Sequence, residues 1–209
     1  MVNPEPRPLL RGQIHLAMAA LSVPALVLPL LLAGSAREYV SAAIYGSAML
    51  LLYSASAAHH LFHGSPFLSR LDRAMIFVLI GGTYTPFCLL LMGTAWGISV
   101  LSVIWGLAGA AALARFLPFT LPRWPNLALY AALGWIGVIG IVPLAATAPP
   151  AMTALVVAGG LLYTAGGFVH AARRPDPFPK IFGYHEVFHV ITVAAGAAFY
   201  LAVVGHIVA

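Results

Sequence analysis

The chain has 209 residues, of which 62% are hydrophobic and only 7% are charged. Soluble domains carry roughly 25% charged residues, so this composition excludes an ordinary water-soluble domain and indicates a protein that lives in a lipid bilayer. The net charge of +5 does not indicate a nucleic-acid partner, because the basic residues lie almost entirely between apolar stretches, where they act as topology signals.

Seven apolar stretches follow one another along the chain, each long enough to cross a bilayer as a helix of about 20 residues. We expect spans at residues 13–33, 38–62, 72–92, 95–115, 127–146, 150–172 and 184–207. Prolines in several of the intervening segments favour helix ends there. The prediction is an all-α polytopic membrane protein, a single seven-helix transmembrane domain over residues 1–209 with a short N-terminal segment at residues 1–12.

The distribution of basic residues predicts the orientation of these spans. Nine of the ten Lys and Arg residues fall on one side, Arg37 being the exception. The positive-inside rule assigns that side to the cytoplasm, so we expect a cytoplasmic N-terminus and an external C-terminus in the cell membrane. The first span exceeds the roughly 7–15 apolar residues of a cleaved signal peptide, so we expect it to be retained.

Ionisable side chains gather at the cytoplasmic ends of three predicted spans. His60 closes the second span, Asp72 opens the third, and His185 and His189 lie in the first turns of the seventh. Such groups are costly inside a membrane and usually functional. His185 and His189 share one helix face. With His60 they would offer three imidazoles and an open position, which suits zinc best, although iron or manganese could use the same ligands.

Two further side chains complete this candidate site. Asp72 would accept a hydrogen bond from a metal-bound water, and Ser56, one turn deeper than His60, would bond a histidine or contact the substrate. Structural alternatives remain open. Asp72 could be a capping-box residue behind an N-cap at Ser69, Ser56 could satisfy a backbone carbonyl, and the histidines could be interfacial. His-x-x-x-His spacing is weak by itself, because His59 and His63 form a second pair.

The sequence His185-Glu186-Val187-Phe188-His189 also matches the His-Glu-x-x-His motif of metalloproteases, with Glu186 as general base. Those enzymes present the motif beside a substrate cleft, whereas here it lies in a predicted membrane span, so we favour this alternative less. His15 and His170, at other helix ends, are expected to be interfacial. Pro86 is expected to kink the third span.

Several motifs occur in order along nearly the whole chain. They are Ser56-x-x-x-His60, Leu71-Asp72-Arg73, Ile80-Gly81-Gly82-Thr83-Tyr84-Thr85-Pro86-Phe87, Pro175-Asp176-Pro177-Phe178-Pro179 and His185-Glu186-Val187-Phe188-His189. Together they resemble the hemolysin III branch of the progestin and adipoQ receptor family. The resemblance implies a seven-helix bundle that binds zinc near the cytoplasmic side through His60, His185 and His189, with Asp72 holding the metal-bound water and Ser56 as the family serine.

The same resemblance suggests a function. Adiponectin receptors belong to this family and alkaline ceramidases look like distant relatives, which implies zinc-dependent hydrolysis of a lipid amide or ester in membrane lipid homeostasis. Two departures leave questions open. His59 stands where an aromatic residue is usual, although Tyr53 and the serine spacing favour His60 as the ligand. Glu186 stands where the receptor branch has glutamine, which favours Asp72 as the base.

The sequence is therefore compatible with three functions. The first is a hydrolase of a membrane lipid, with zinc as cofactor. The second is a non-catalytic receptor or regulatory protein in which zinc is structural. The third, least favoured, is a pore-forming hemolysin, because the outer halves of the spans are dominated by apolar residues and show no continuous polar route.

Overall fold

The computed structural model describes residue 8 and residues 10–62, 64–92, 94–118 and 122–208. Over these residues the secondary structure is helical, with one isolated β-bridge between Phe178 and Phe182. The helices are α1 (Gln13–Leu32), α2 (Ala36–Leu61), α3 (Pro66–Pro86), α4 (Thr94–Ala114), α5 (Arg123–Trp135), α6 (Val138–Thr147), α7 (Pro150–Ala172) and α8 (Tyr184–Val208). Seven helical stretches are long and apolar enough to cross a membrane, which confirms the predicted all-α seven-helix architecture.

Several residues that bear on the predicted orientation and on the histidine spacing lie outside the described residues. They are Arg7, His63, most of the N-terminal segment and the side chain of Arg123.

The helix α3 begins at Pro66, six residues before the predicted start of the third span. The Ser65 hydroxyl accepts a hydrogen bond from the Leu68 amide at 3.3 Å, and proline is well tolerated at the first helical position because the amide there needs no partner. The alternative of an N-cap at Ser69 is therefore wrong. Asp72 lies in the second turn of α3 instead of at its cap, which removes the capping explanation for this carboxylate.

The regular α-helical geometry of α3 ends at Pro86, and the following turn, Phe87–Leu91, is π-helical. Within the last turns of α3, the hydroxyls of Thr83 and Thr85 donate to the carbonyls of Leu79 and Gly81 at 2.8 and 2.9 Å. Proline cannot supply an amide donor, so a change in hydrogen-bond register is expected at this point. At Pro86, where a kink was expected, the α-helical hydrogen-bond pattern changes to a π-helical one.

The predicted fifth span is one apolar stretch divided into two helices, α5 and α6. The division falls at Ile136 and Gly137. The Tyr84 hydroxyl of α3 donates to the carbonyls of Leu133 and Gly134 at 3.1 and 2.7 Å, so the last turn of α5 bonds partly to a neighbouring helix. The span predicted at residues 127–146 is found, with an interruption of the regular helix inside it.

The helices α2, α3 and α8 form the centre of the bundle. Their contact is built from buried side chains of all three helices, with Tyr45, Tyr53, Leu79 and Val203 among them. The Tyr45 hydroxyl also donates to the Gly196 carbonyl at 3.2 Å. Because α2, α3 and α8 carry the predicted site residues, this packing sets the separation between those residues.

Candidate metal centre

Three histidines from two helices meet at one end of the bundle. His60 lies in the last turn of α2, and His185 and His189 lie in the first turns of α8. His60 and His189 are buried and His185 is half-buried, and one ring nitrogen from each lies within 4.8 Å of the others. The side chains predicted from topology and from the family resemblance are therefore brought together, and they could hold a metal ion.

The separation of one pair of ring nitrogens is close to that of two ligands on one metal ion. The Nε2 atoms of His60 and His185 are 3.1 Å apart. In a tetrahedral site with Zn–N bonds of about 2.0–2.1 Å, geometry places ligand nitrogens about 3.3 Å from one another. Two imidazole nitrogens that face each other at this distance share either a proton or a metal ion. Three imidazoles with no carboxylate or thiolate are a donor set that zinc accepts readily.

His59, the alternative ligand on α2, is placed differently. Its ring lies 4.8 Å from that of His60, centroid to centroid, but its nitrogens are outside the group of three. His60 shares one face of α2 with Ser56 and Tyr53, four and seven residues before it. That face meets α8, where a Cβ at Gly196 would lie 2.9 Å from the Tyr53 hydroxyl.

Asp72 and Ser56 form a hydrogen-bonded pair between α3 and α2, and Ser56 lies one turn from His60. Ser56 is 2% exposed, and its hydroxyl is hydrogen-bonded to the Asp72 carboxylate. Asp72 does not belong to the group of potential metal ligands. Ser56 was expected to bond a histidine, a substrate or a backbone carbonyl; its partner is Asp72 because α3 starts early and carries this carboxylate two turns into the bundle.

Glu186 has a structural position. Its Oε1 accepts from Arg11 Nε at 2.7 Å, and its Oε2 accepts from the Gly183 amide at 2.9 Å. The side chain of Glu186 is 2% exposed and that of Arg11 is 21% exposed. Both carboxylate oxygens are thus used to pair a cation and to cap the start of α8. This arrangement does not support the metalloprotease alternative with Glu186 as general base.

The segment that precedes α1 packs against the histidine end of the bundle. The Leu10 amide donates to the Ile181 carbonyl at 3.2 Å, next to the ion pair of Arg11 with Glu186. Gly12 has φ of 88°, and a Cβ at this position would lie 2.9 Å from the Cβ of His60. Only glycine fits this backbone conformation and this close approach comfortably.

His15 was expected to be interfacial, and that expectation was wrong. The side chain is 5% exposed, and its ring stacks on that of His189 with centroids 3.7 Å apart. It also meets the ring of Tyr53 edge to face at 5.1 Å. The predicted order of the spans already indicated this placement, because His15 opens α1 at the same end of the bundle as the other histidines.

His170 is half-buried near the end of α7, and its ring lies 5.4 Å from that of His185 and 4.8 Å from that of Phe188. The histidine group therefore has aromatic and imidazole neighbours from α1 and α7 as well as from its own helices, which limits the motion of the candidate ligands.

Comparison with known proteins identifies similar sequences. The profile of the family described as haemolysin-III related matches residues 5–200. A protein named Hemolysin-3 homolog, from Bacillus subtilis (strain 168), is 34% identical over 191 residues, covering 88% of this chain and 86% of that protein. Hemolysin-3 of Bacillus cereus is 30% identical over 197 residues, covering 90% and 86%. No solved structure gives a significant match.

Proposed function

Because the chain belongs to the haemolysin-III related family of membrane proteins, within the progestin and adipoQ receptors, we propose that it is a zinc-dependent hydrolase of a lipid amide or ester. The main observation behind this proposal is that α2 carries both a histidine of the cluster and the serine that bonds Asp72. Three imidazoles converge within 4.8 Å, and the hydroxyl of Ser56, one turn from His60 on α2, is hydrogen-bonded to the Asp72 carboxylate of α3.

His60, His185 and His189 would hold the ion. A zinc ion held there would supply Lewis acidity toward the carbonyl oxygen of a substrate and toward water. Asp72 would accept the proton that water loses when it attacks the carbonyl, and would pass it to the leaving nitrogen or oxygen. The Ser56 hydroxyl donates to the Asp72 carboxylate, so it would orient that carboxylate toward the reacting water.

A lipid is the substrate class that the location supports. The histidines belong to helices that are apolar enough to cross a membrane, and they lie in the terminal turns of those helices. In a bilayer crossed by these helices, that level would correspond to the region where acyl chains join their polar headgroups through amide or ester bonds. The predicted orientation would give the site access to lipids of the cytoplasmic leaflet.

A pore is less well supported, although the bacterial relatives carry the name hemolysin. Below the histidines, the contact between α2, α3 and α8 is filled by buried side chains such as Met49, Leu52 and Val203. A conduction path needs polar groups or water along its length. Robust ion flux from liposomes that contain the pure protein would favour the pore.

The hydrolase is tested with detergent-purified protein and a panel of ceramides, N-acyl amides and glycerolipid esters. We expect release of a fatty acid from at least one class, loss of release after chelation, and recovery when zinc is returned. A folded, zinc-loaded protein that is inert against the whole panel would instead favour a regulatory protein with structural zinc.

A further inference from the structure

His15 is an imidazole that the proposed chemistry leaves without a role. It lies in the first turn of α1, is 5% exposed, and neither of its ring nitrogens has a hydrogen-bond partner among the described residues. A buried polar group without a partner is costly, and such groups in native proteins usually meet a ligand or an ordered water. His15 is therefore a candidate for binding something other than protein.

The geometry argues against His15 as a fourth ligand of the same ion. Its ring is 18° from parallel to that of His189, with centroids 3.7 Å apart. An imidazole binds a metal ion in its own ring plane, so two stacked rings such as these would not hold the same ion. His15 is also absent from the group of nitrogens within 4.8 Å. The imidazole is adjacent to the ligands without being one of them.

The position of the His15 ring is fixed by its neighbours. It stacks on His189 on one side and meets Tyr53 edge to face at 5.1 Å. The chain also makes a tight turn at Gly12, against His60, immediately before α1 begins. A ring held in this way keeps its nitrogens at one location beside the histidine group.

We propose that His15 binds the acyl carbonyl or carboxylate oxygen of a molecule held at the metal, donating a hydrogen bond from its ring N–H. This inference rests on the proposed function and extends it to a residue on α1. The product of amide or ester hydrolysis is a carboxylate, whose oxygens accept hydrogen bonds, and a neutral imidazole supplies one donor. His15 would thus be a substrate-binding residue that helps to place the acyl group.

The test uses cobalt(II)-substituted protein and acetate as the carboxylate probe. Visible absorption reports the cobalt coordination, and titration with acetate gives a dissociation constant without requiring turnover. For the variant His15→Phe we expect unchanged cobalt stoichiometry and an acetate affinity at least about tenfold weaker, since hydrogen bonds to charged groups contribute on that scale. His15→Gln keeps an N–H donor and should stay within about threefold of the wild type.

His206→Phe is the matched control, because this histidine lies in the last turn of α8, at the far end of the helix from His189, and should leave both values unchanged. His15→Met provides a second apolar variant if phenylalanine prevents folding. Wild-type acetate affinity in His15→Phe or His15→Met, or equal losses in these and in His15→Gln, would overturn the assignment while leaving the metal site standing. Wild-type protein that binds no cobalt would overturn the proposed function together with it.

Discussion

Asp72 differs from the other described carboxylates in what it contacts. Glu38 caps α2 by accepting from the Gly34 and Ser35 amides, Asp176 accepts from the Tyr184 amide, and Glu186 pairs with Arg11 and caps α8. Each of these three carboxylates accepts hydrogen bonds from backbone amides at the start of a helix. Asp72 is hydrogen-bonded to Ser56, one turn from His60 on α2, so it is the carboxylate to which the proposed function assigns the proton transfer.

The variant Asp72→Asn should therefore distinguish zinc binding from catalytic turnover. The amide keeps the shape of the side chain but is not a base, so we expect wild-type zinc content and a turnover lower by at least about 100-fold. Zinc is measured by elemental analysis and turnover by fatty-acid release. Glu38→Gln, at the other end of α2, is the control and should retain full turnover. Unchanged turnover in Asp72→Asn would refute the role assigned to this carboxylate.

Arg11 shows how a residue can serve two purposes. It was interpreted from the sequence as a topology signal, and it also forms the ion pair with Glu186. Removing one partner of a buried pair costs about 3–5 kcal/mol, and the partial exposure of Arg11 favours the lower end of that range. We expect Arg11→Met to lower the thermal stability of the purified protein clearly, and the exposed control Arg174→Met to have little effect.

The double variant Arg11→Met/Glu186→Gln tests the cause of that loss. It removes the buried charge that Arg11→Met leaves unpaired, so we expect it to be more stable than Arg11→Met alone. A double variant less stable than the single one, or equal losses in Arg11→Met and Arg174→Met, would show that the ion pair does not stabilise the fold.

At the scale of elements, small residues let the central helices approach one another. A Cβ at Gly82 of α3 would lie 2.5 Å from the Cβ of Ala48 on α2, whereas a Cβ at Gly106 of α4 would meet nothing within 4 Å. Neither atom of the first pair belongs to a flexible side chain, so the helices themselves would have to separate. The distance between α2 and α3 also sets the contact of Ser56 with Asp72.

Alanine at these two glycines should consequently have opposite effects. In Gly82→Ala we expect a loss of about 1–3 kcal/mol from overpacking, seen as a lower unfolding temperature. In Gly106→Ala we expect no loss or a small gain, because alanine favours a helix more than glycine does. Equal stabilities of the two variants would mean that the close approach of α2 and α3 is not required.

At the scale of the whole molecule, the sequence predicted the bundle well because hydropathy reports each span independently of its neighbours. The convergence of His60, His185 and His189 followed from span alternation together with the family resemblance. The errors were tertiary or local. The burial of His15 depends on packing across three helices, and the start of α3 depends on the cap at Ser65. No periodicity in the sequence carries that information.

Orientation in the membrane is a prediction for the whole molecule that thiol labelling can check. The native cysteine, Cys88, is buried, so the labelling of introduced cysteines can be measured against a low background. An impermeant maleimide added to intact cells should label Arg37→Cys but not Arg174→Cys, both of which replace exposed residues at opposite ends of the bundle. Permeabilised cells should label both. Labelling of Arg174→Cys in intact cells would reverse the orientation.

The metal content of the purified protein shows whether His60, His185 and His189 bind an ion. Protein purified in detergent is analysed for bound elements beside a His185→Ala/His189→Ala double variant, with His206→Ala as the matched control. We predict about one zinc ion per chain in the wild type and in the control, and none in the double variant. A well-folded wild-type protein that holds no metal, even after zinc is supplied, would show that the three histidines do not form a metal site.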